Sequence, residues 1–241
     1  MLKIPDVLVI AAQAAREIAA PMFVYRRGKL YSCSKMLKEN HARYIIQLHV
    51  LSGCDSVSGF FCHGKQAIFN SAITAGADIQ ELQRLGTSLT CNNELMQGVA
   101  KYILRFIYKE KETARINIAR AKRRNCMKKK NTARLPPDED SLYLHIRRAN
   151  YQAHIFRSYA NLSAPASPYD HGWARNDQGY LEPIKTTTAS IPKDIEDMST
   201  ELDAGEGPAD NDYAGSLQDD DTDGSSTLSD EYDSEEELYT D

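Results

Sequence analysis

Long apolar runs are missing from this sequence. No stretch approaches the roughly 18 consecutive apolar residues that a membrane-spanning helix needs. A secretory signal is not indicated either, because Pro5 and Asp6 interrupt the start of the chain and the apolar run at residues 7–12 is too short. The sequence therefore predicts an intracellular protein without a membrane partner.

Cysteine is scarce and unpatterned. The five cysteines are odd in number, widely spaced and without a Cys-x-x-Cys pair, which argues against a disulfide framework and against a zinc module. A metal cluster of Cys62 and His63 with His49 and Cys54 is an alternative, but zinc sites normally pair their ligands at short fixed spacing. We expect reduced thiols.

Basic side chains almost vanish after residue 185. Residues 1–185 contain 28 Lys or Arg and 15 Asp or Glu, a net charge of +13, whereas residues 186–241 contain 1 and 19, a net charge of −18. The positive net charge of the first part favours binding to nucleic acid. The second part is rich in Ser, Asp, Glu and Gly, which predicts a disordered acidic tail because too little apolar surface is there to offset chain entropy.

The N-terminal pattern predicts a strand, a helix and a second strand. The β-branched run at residues 7–10 is expected to be a strand, and the Ala-rich residues 11–20 a helix that ends at Pro21. Residues 22–25 and 29–31 flank a turn at residues 26–28 and read as a strand and turn or a hairpin. This order suggests part of a parallel sheet of the α/β class.

The remainder of the first part has helical spacing. We expect helices that end at Gly53, that follow the Gly-rich loop at residues 58–65, that span residues 78–85, and that run from Met96 into a very basic continuation. A last helix begins at the acids 138–140, and its regular apolar stripe predicts one buried face: Leu142, Ile146, Ala149, Ala153, Phe156 and Ala160.

Two aspartates are the candidate catalytic and metal-binding residues. Asp6 precedes the predicted buried strand, and Asp55 follows Gly53 and Cys54. The Gly53-Cys54-Asp55 block, followed nine residues later by Gly64-Lys65 and an amphipathic helix, resembles the C-terminal half of a flap-endonuclease-type, PIN-like nuclease domain. The segments 6–9, 148–153 and 171–173 extend the resemblance to a group of animal proteins associated with repetitive elements.

The resemblance implies a parallel sheet and a Mg²⁺ site that includes Asp55, with Gly64 and Lys65 gripping a DNA phosphate. Hard cations beside a scissile phosphate need several converging carboxylates. This sequence departs from the family pattern, because Ile4 stands where the family has the first Asp of Asp-x-Asp, and the first strand with its own Asp would lie before Met1. Cys62 replaces the first glycine of the hairpin, and its Cβ hinders backbone approach to a phosphate. We therefore expect a truncated and incomplete site.

Structural alternatives exist for both aspartates. Asp6 reads equally as a strand-end carboxylate bonded to backbone, and Asp55 as a helix N-cap. His145 and His154 are expected to be surface or boundary residues, and Trp173 a packing anchor.

A basic stretch is the second sequence feature that indicates a function. Residues 101–134 contain 13 basic and 2 acidic side chains. A solvated helix face or a nuclear-import sequence is one interpretation, and contact with the phosphate backbone is the other, with steep salt dependence. The candidate nucleic-acid-binding residues here are Lys122, Arg123, Arg124, Lys128, Lys129 and Lys130.

The sequence as a whole predicts an α/β, mainly helical protein. We expect a PIN-like core with a partial parallel sheet at residues 1–92, a basic helical extension at 93–185 and the acidic tail at 186–241. The expected function is that of a degenerate flap-endonuclease-like protein that binds nucleic acid and cleaves weakly or not at all, in the nucleus rather than the cytoplasm. The alternatives are an active Mg²⁺-dependent nuclease, with Asp78 or a partner chain completing the site, and a non-enzymatic protein whose acidic arm binds a basic protein.

Overall fold

The computed structural model describes residues 5–33, 42–75, 80, 82–110, 115–126, 132–160 and 164–186. All of them belong to one compact unit, residues 1–202. The acidic tail, Asp78 and Lys128 to Lys130 lie outside the described residues, so the predictions made for them stay predictions.

Helix α1, Asp6–Ile18, occupies the place of the predicted first strand. The prediction for residues 7–10 is wrong because a short apolar run does not distinguish a strand from a buried helix turn, and the alanines that follow favour helix. The buried residues Leu8, Val9, Ala12 and Ala15 form one apolar face. Asp6 is therefore the first residue of a helix and does not precede a strand.

The strands form two hairpins. Strands β1, Phe23–Arg26, and β2, Lys29–Ser32, pair antiparallel around Arg27 and Gly28. Both loop residues have positive φ, 49° and 79°, as a two-residue type I′ turn requires. The second hairpin joins β3, Trp173–Arg175, to β4, Leu181–Pro183. The described residues contain these two antiparallel sheets and no parallel one, so the expected parallel sheet is absent from that part of the chain.

Two short helices follow the predicted order. A 3-10 turn, Ala42–Tyr44, leads into α2, Ile45–Leu51, whose seven residues are all buried. Helix α3 spans Lys65–Ala75. The loop between them turns at Gly53, where φ is +95° and a Cβ atom would lie 2.8 Å from the Gly59 nitrogen, so the predicted stop at Gly53 is confirmed. The helix expected at residues 78–85 is described only in part, as a 3-10 turn at residues 82–84.

The expected long basic helix is interrupted. Helix α4, Asn93–Tyr102, continues as a π-helical turn, Ile103–Ile107, and the chain leaves it at Tyr108. A separate helix, α5, spans Ile116–Cys126. The prediction of one continuous helix is wrong because helical periodicity extends across the break, whereas the Lys109 backbone, with φ +61°, cannot continue a right-handed helix.

Helix α6, Glu139–Arg157, is the centre of the molecule. Its start at the acids 138–140 is confirmed, and Asp138 caps it by accepting from the Ser141 backbone N–H at 2.9 Å. Five of the six predicted stripe residues are buried, and Ala160 is exposed beyond the helix end. The stripe joins residues of α1 to α4 in one apolar cluster that extends from Val9 to Phe156. In the described ranges, no helix has the length and apolarity that crossing a membrane requires.

Candidate functional site around His49 and Lys65

The end of α2 brings the sequence-predicted site residues together. His49 lies in the last turn of α2 and is 1% exposed, and Asp6 begins α1. The Nε2 atom of His49 lies 2.7 Å from Oδ1 of Asp6. Helices α1 and α2 thus meet through a polar pair whose partners are 43 residues apart in the sequence.

Lys65 reaches the same point from the first turn of α3. Its Nζ atom donates to the Ser52 hydroxyl at 3.1 Å, to the His49 carbonyl at 3.2 Å and to the Gly53 carbonyl. A cation is favourable at the C-terminal end of a helix, where carbonyl groups have no partner in the helix. The resemblance implied a phosphate contact for Lys65, but its ammonium group is directed into the protein.

The contacts of His49 define its tautomer. Nζ of Lys65 can only donate, and it lies 3.3 Å from Nδ1, so Nδ1 is the acceptor and Nε2–H donates to Asp6. Burial lowers the pKa of His49, and Lys65 lowers it further, while the hydrogen bond and charge of Asp6 oppose both effects. A neutral imidazole therefore connects the carboxylate to the ammonium group.

Asp55 belongs to the same electrostatic neighbourhood. It is exposed in the turn that the Cys54 N–H closes on the Val57 carbonyl at 2.9 Å. Burial lowers the pKa of Lys65, and the charges of Cys54, Asp6 and Asp55 oppose this effect. The alternative interpretation of Asp55 as a helix N-cap is wrong, because α3 begins ten residues later at Lys65.

The described residues around His49 and Lys65 do not fit a Mg²⁺ site. Among the described residues, no group of three or more His, Cys, Asp or Glu side chains is placed to hold a metal ion. Lys65 supplies a positive charge close to Asp6 and Asp55. A divalent cation would meet electrostatic repulsion from this ammonium group and too few oxygen ligands.

The loop before α3 keeps one feature of a phosphate-binding hairpin. Cys62 has φ +61°, a left-handed conformation that glycine adopts most readily, and the resemblance implies a glycine at this position. Gly64 is exposed, and a Cβ atom built there would meet nothing within 4 Å. The backbone at Gly64 is therefore open to solvent, whereas Lys65 is not directed outward.

The basic residues of α5 divide into two groups. Arg123 donates from Nη1 to the Tyr108 carbonyl at 2.6 Å and to Oε1 of Glu110 at 3.1 Å, so it ties α5 to the chain that leaves α4. Arg124 is half-buried, and Lys122 is exposed. Arg123 thus has structural partners within the protein, and the prediction that Lys122, Arg123 and Arg124 contact nucleic acid stays a prediction.

Sequence reasoning missed two buried histidines. His49 follows Ile45 by four residues, which places it on the apolar face of α2, and this spacing is the signal that could have found it. His145 was expected near the surface, but it is 4% exposed, and its ring lies 4.7 Å from the Phe60 ring. Polar residues beside an apolar stripe are buried when a neighbouring loop covers them, and the sequence does not reveal that loop.

Comparison of the chain with protein-family models, with curated proteins and with solved structures found no match in any of the three.

Proposed function

We propose that this protein is derived from a flap-endonuclease-like nuclease, binds nucleic acid through backbone contacts, and cleaves it weakly or not at all. The observation that carries the proposal is the placement of the Lys65 ammonium group within electrostatic range of Asp6 and Asp55. The proposal is that Asp6 and Asp55 are inherited from the metal site of an ancestral nuclease. It does not require a parallel sheet among the described residues.

The chemistry of Lys65 explains why cleavage would be weak. Metal-dependent nucleases use bound cations to activate water and to stabilise the leaving oxygen. An ammonium group supplies charge, but it has no coordination site for water and cannot lower the pKa of a bound water as a metal does. The carboxylates of Asp6 and Asp55 are therefore left with a structural partner.

The charge distribution supports nucleic-acid binding. The first 185 residues have a net charge of +13. Lys122 is exposed on α5, and the Gly64 backbone is exposed at the start of α3. Contacts of this kind read charge and not sequence, and their affinity falls steeply with salt.

A cleavage assay tests the catalytic half of the proposal. Purified protein is incubated with flapped and with single-stranded DNA in Mg²⁺ or Mn²⁺, beside an Asp55→Ala variant. We expect no cleavage above that of Asp55→Ala. Robust cleavage that Asp55→Ala abolishes would instead establish the alternative of an active nuclease.

A retention assay tests the binding half. We expect single-stranded DNA to be retained at low salt and released as salt rises, and Lys122→Glu to weaken retention about fivefold or more. The matched control is Lys29→Glu, the same charge change at an exposed residue of β2. If the protein retains no DNA at low salt, the interaction protein with an acidic arm becomes the better account.

Thermal unfolding reports on a metal site without any substrate. A ligand that binds only the folded state raises the melting temperature. We expect millimolar Mg²⁺ to leave the midpoint unchanged apart from the effect of an equal ionic strength of Na⁺. A Mg²⁺-specific rise that Asp55→Ala removes would contradict the loss of the metal site.

A further inference from the structure

A cleft opens beside the Asp55 turn. Its volume is about 330 Å³, and it lies where that turn, helix α6 and the β3–β4 hairpin meet. The polar and aromatic residues that line it are Ser56, Ser58, Ser141, Arg148, Trp173, Lys185 and Thr186. This volume is at the lower end of the range for small-molecule sites, about 300–1,000 Å³, so the cleft suits one small ligand.

Arg148 gives the cleft a buried positive charge. Its side chain comes from α6 and is 9% exposed, and Nη1 donates to the carbonyls of Gly172 at 3.3 Å and Ile184 at 3.4 Å. In the described part of the chain, no carboxylate pairs with Arg148. Because burying an unpaired charge is costly, an anion in the cleft would offset a penalty that the protein otherwise bears.

The rest of the lining favours a phosphate. Lys185 adds a second cation from an exposed position, and the exposed Ser58 hydroxyl can donate to a ligand, whereas the hydroxyls of Ser56 and Ser141 already donate to Gln152 and Asp138. Among the described residues that line the cleft there is no Asp or Glu. Guanidinium, ammonium and hydroxyl donors around a site without carboxylates suit a group with several anionic oxygens.

Trp173 adds a flat apolar wall. It is the only tryptophan of the chain, is half-buried at the start of β3, and lines the same cleft as the two cations. Gly172, just before it, packs so closely on α6 that a Cβ atom would lie 2.8 Å from Cγ of Arg148. The indole is thus held beside α6, and an indole face stacks readily on a nucleobase.

We propose that the cleft binds one nucleotide unit, with its phosphate at Arg148 and Lys185 and its base against Trp173. The proposal deepens the proposed function and rests on it, because it names the part of a nucleic acid that this surface holds. Ser56 follows Asp55 in the sequence and lines the cleft, so the cleft adjoins the Asp55 turn. Because the base that reaches Trp173 must be unpaired, the preferred ligand is a single-stranded end and not a duplex.

The single tryptophan provides the assay. Fluorescence of the full chain is titrated at low salt with adenosine monophosphate, with inorganic phosphate and with adenosine. We expect saturable quenching by the monophosphate, displacement of the monophosphate by inorganic phosphate at higher concentration, and no saturable response to adenosine. No saturable response to the monophosphate would overturn the proposal.

Variants locate the binding. Lys185→Glu reverses an exposed charge in the cleft and should weaken monophosphate binding about tenfold or more. Lys29→Glu makes the same change on β2 and should alter it less than twofold. Arg148→Ala removes a buried group that also holds the hairpin, so Ser58→Ala, at an exposed position, is the second cleft variant and should weaken binding two- to fivefold. Equal affinity of Lys185→Glu and the wild type would place the nucleotide elsewhere.

The two proposals fail in different ways. Retention of single-stranded DNA without any response to the monophosphate would refute the cleft and leave the proposed function intact. Quenching by the monophosphate, sensitive to Lys185→Glu, in a protein that retains no DNA would refute the proposed function and support a site for free nucleotides.

Discussion

At the scale of single residues, the ammonium group of Lys65 donates hydrogen bonds to polar groups at the C-terminal end of α2. It donates to the carbonyls of His49 and Gly53 and to the hydroxyl of Ser52. Its charge also lies close to Asp6 and Asp55. One side chain thus stabilises a helix end and compensates two carboxylates, which is why we assign it a structural role.

Lys65→Met should reduce the free energy of unfolding by about 2 kcal/mol, because it leaves partly buried carbonyls without a donor. The methionine keeps the apolar part of the side chain, so the packing changes little. Chemical denaturation measures the change. The control is Gln66→Ala at the next, exposed position, for which a loss below about 0.5 kcal/mol is expected. Equal stability of Lys65→Met and the wild type would show that water replaces the ammonium group.

His145 should make the protein sensitive to acid. Burial, with Arg148 as the second cause, lowers its pKa from 6.5 to about 4. As the pH falls below 6.5, His145 becomes protonated in the unfolded chain, whereas in the folded chain it stays neutral until about pH 4. The free energy of unfolding therefore decreases across this window. The loss is on the order of 1 kcal/mol per pH unit.

Denaturation midpoints at pH 7.5, 6.5 and 5.5 test this expectation. The interval from pH 6.5 to 5.5 lies above the ordinary range of carboxylate titration, and burial lowers the pKa of His49 as well, which acts in the same direction. His145→Gln should lose less stability than the wild type between pH 6.5 and 5.5. Parallel pH profiles for the two proteins would mean that His145 titrates normally.

At the scale of elements, α6 is the helix on which the loop before α4 packs closely. Gly86 has φ +81°, and its N–H donates to Oδ1 of Asn150 on α6 at 2.8 Å. Nδ2 of Asn150 donates to the carbonyl of Ser88 at 2.8 Å. The buried amide of Asn150 therefore fixes the loop before α4 on the central helix.

Gly86→Ala should destabilise the protein by about 3 kcal/mol or more, because its Cβ would lie 2.5 Å from Cβ of Ala153 and force α6 and the loop apart. Gly179→Ala is the matched control, since Gly179 has a similar φ of +85° but nothing within 4 Å of a Cβ. It should cost only the backbone strain, about 1 kcal/mol. Similar losses in both variants would attribute the whole effect to φ.

At the scale of the whole molecule, the chain combines two regions of opposite charge. Residues 1–185 have a net charge of +13 and residues 186–241 a net charge of −18. Opposite charges on one chain attract over distances up to about the screening length, and salt shortens that length and weakens the attraction. We therefore expect the acidic tail to compete with nucleic acid for the cations of residues 1–185.

A chain that ends at residue 186 should bind single-stranded DNA about tenfold more tightly than the full chain at low salt. The difference should shrink as the salt concentration rises, because the competition is electrostatic. Replacing the tail acids by Asn and Gln keeps its length and should reproduce the effect. If truncation leaves the affinity unchanged, the tail does not compete.

How much could be read from the sequence differs between features. The stripe of α6 and its start at the acids 138–140, the stop at Gly53 and the turn at Arg27 and Gly28 were predicted correctly, because each depends on local periodicity, on the local charge pattern or on one backbone conformation. The strand at residues 7–10 was wrong because four apolar residues fit either element. The inward direction of Lys65 was missed because its acceptors belong to another helix.

The sequence by itself determined the charge of each region, most helices and the identity of the candidate aspartates, because these depend on composition and on neighbours a few residues apart. Only the tertiary structure decided that His49 joins Asp6 to Lys65 and that Arg148 meets Trp173 in one cleft. Those contacts join residues separated by 16 to 43 positions, and their geometry follows from how the helices pack.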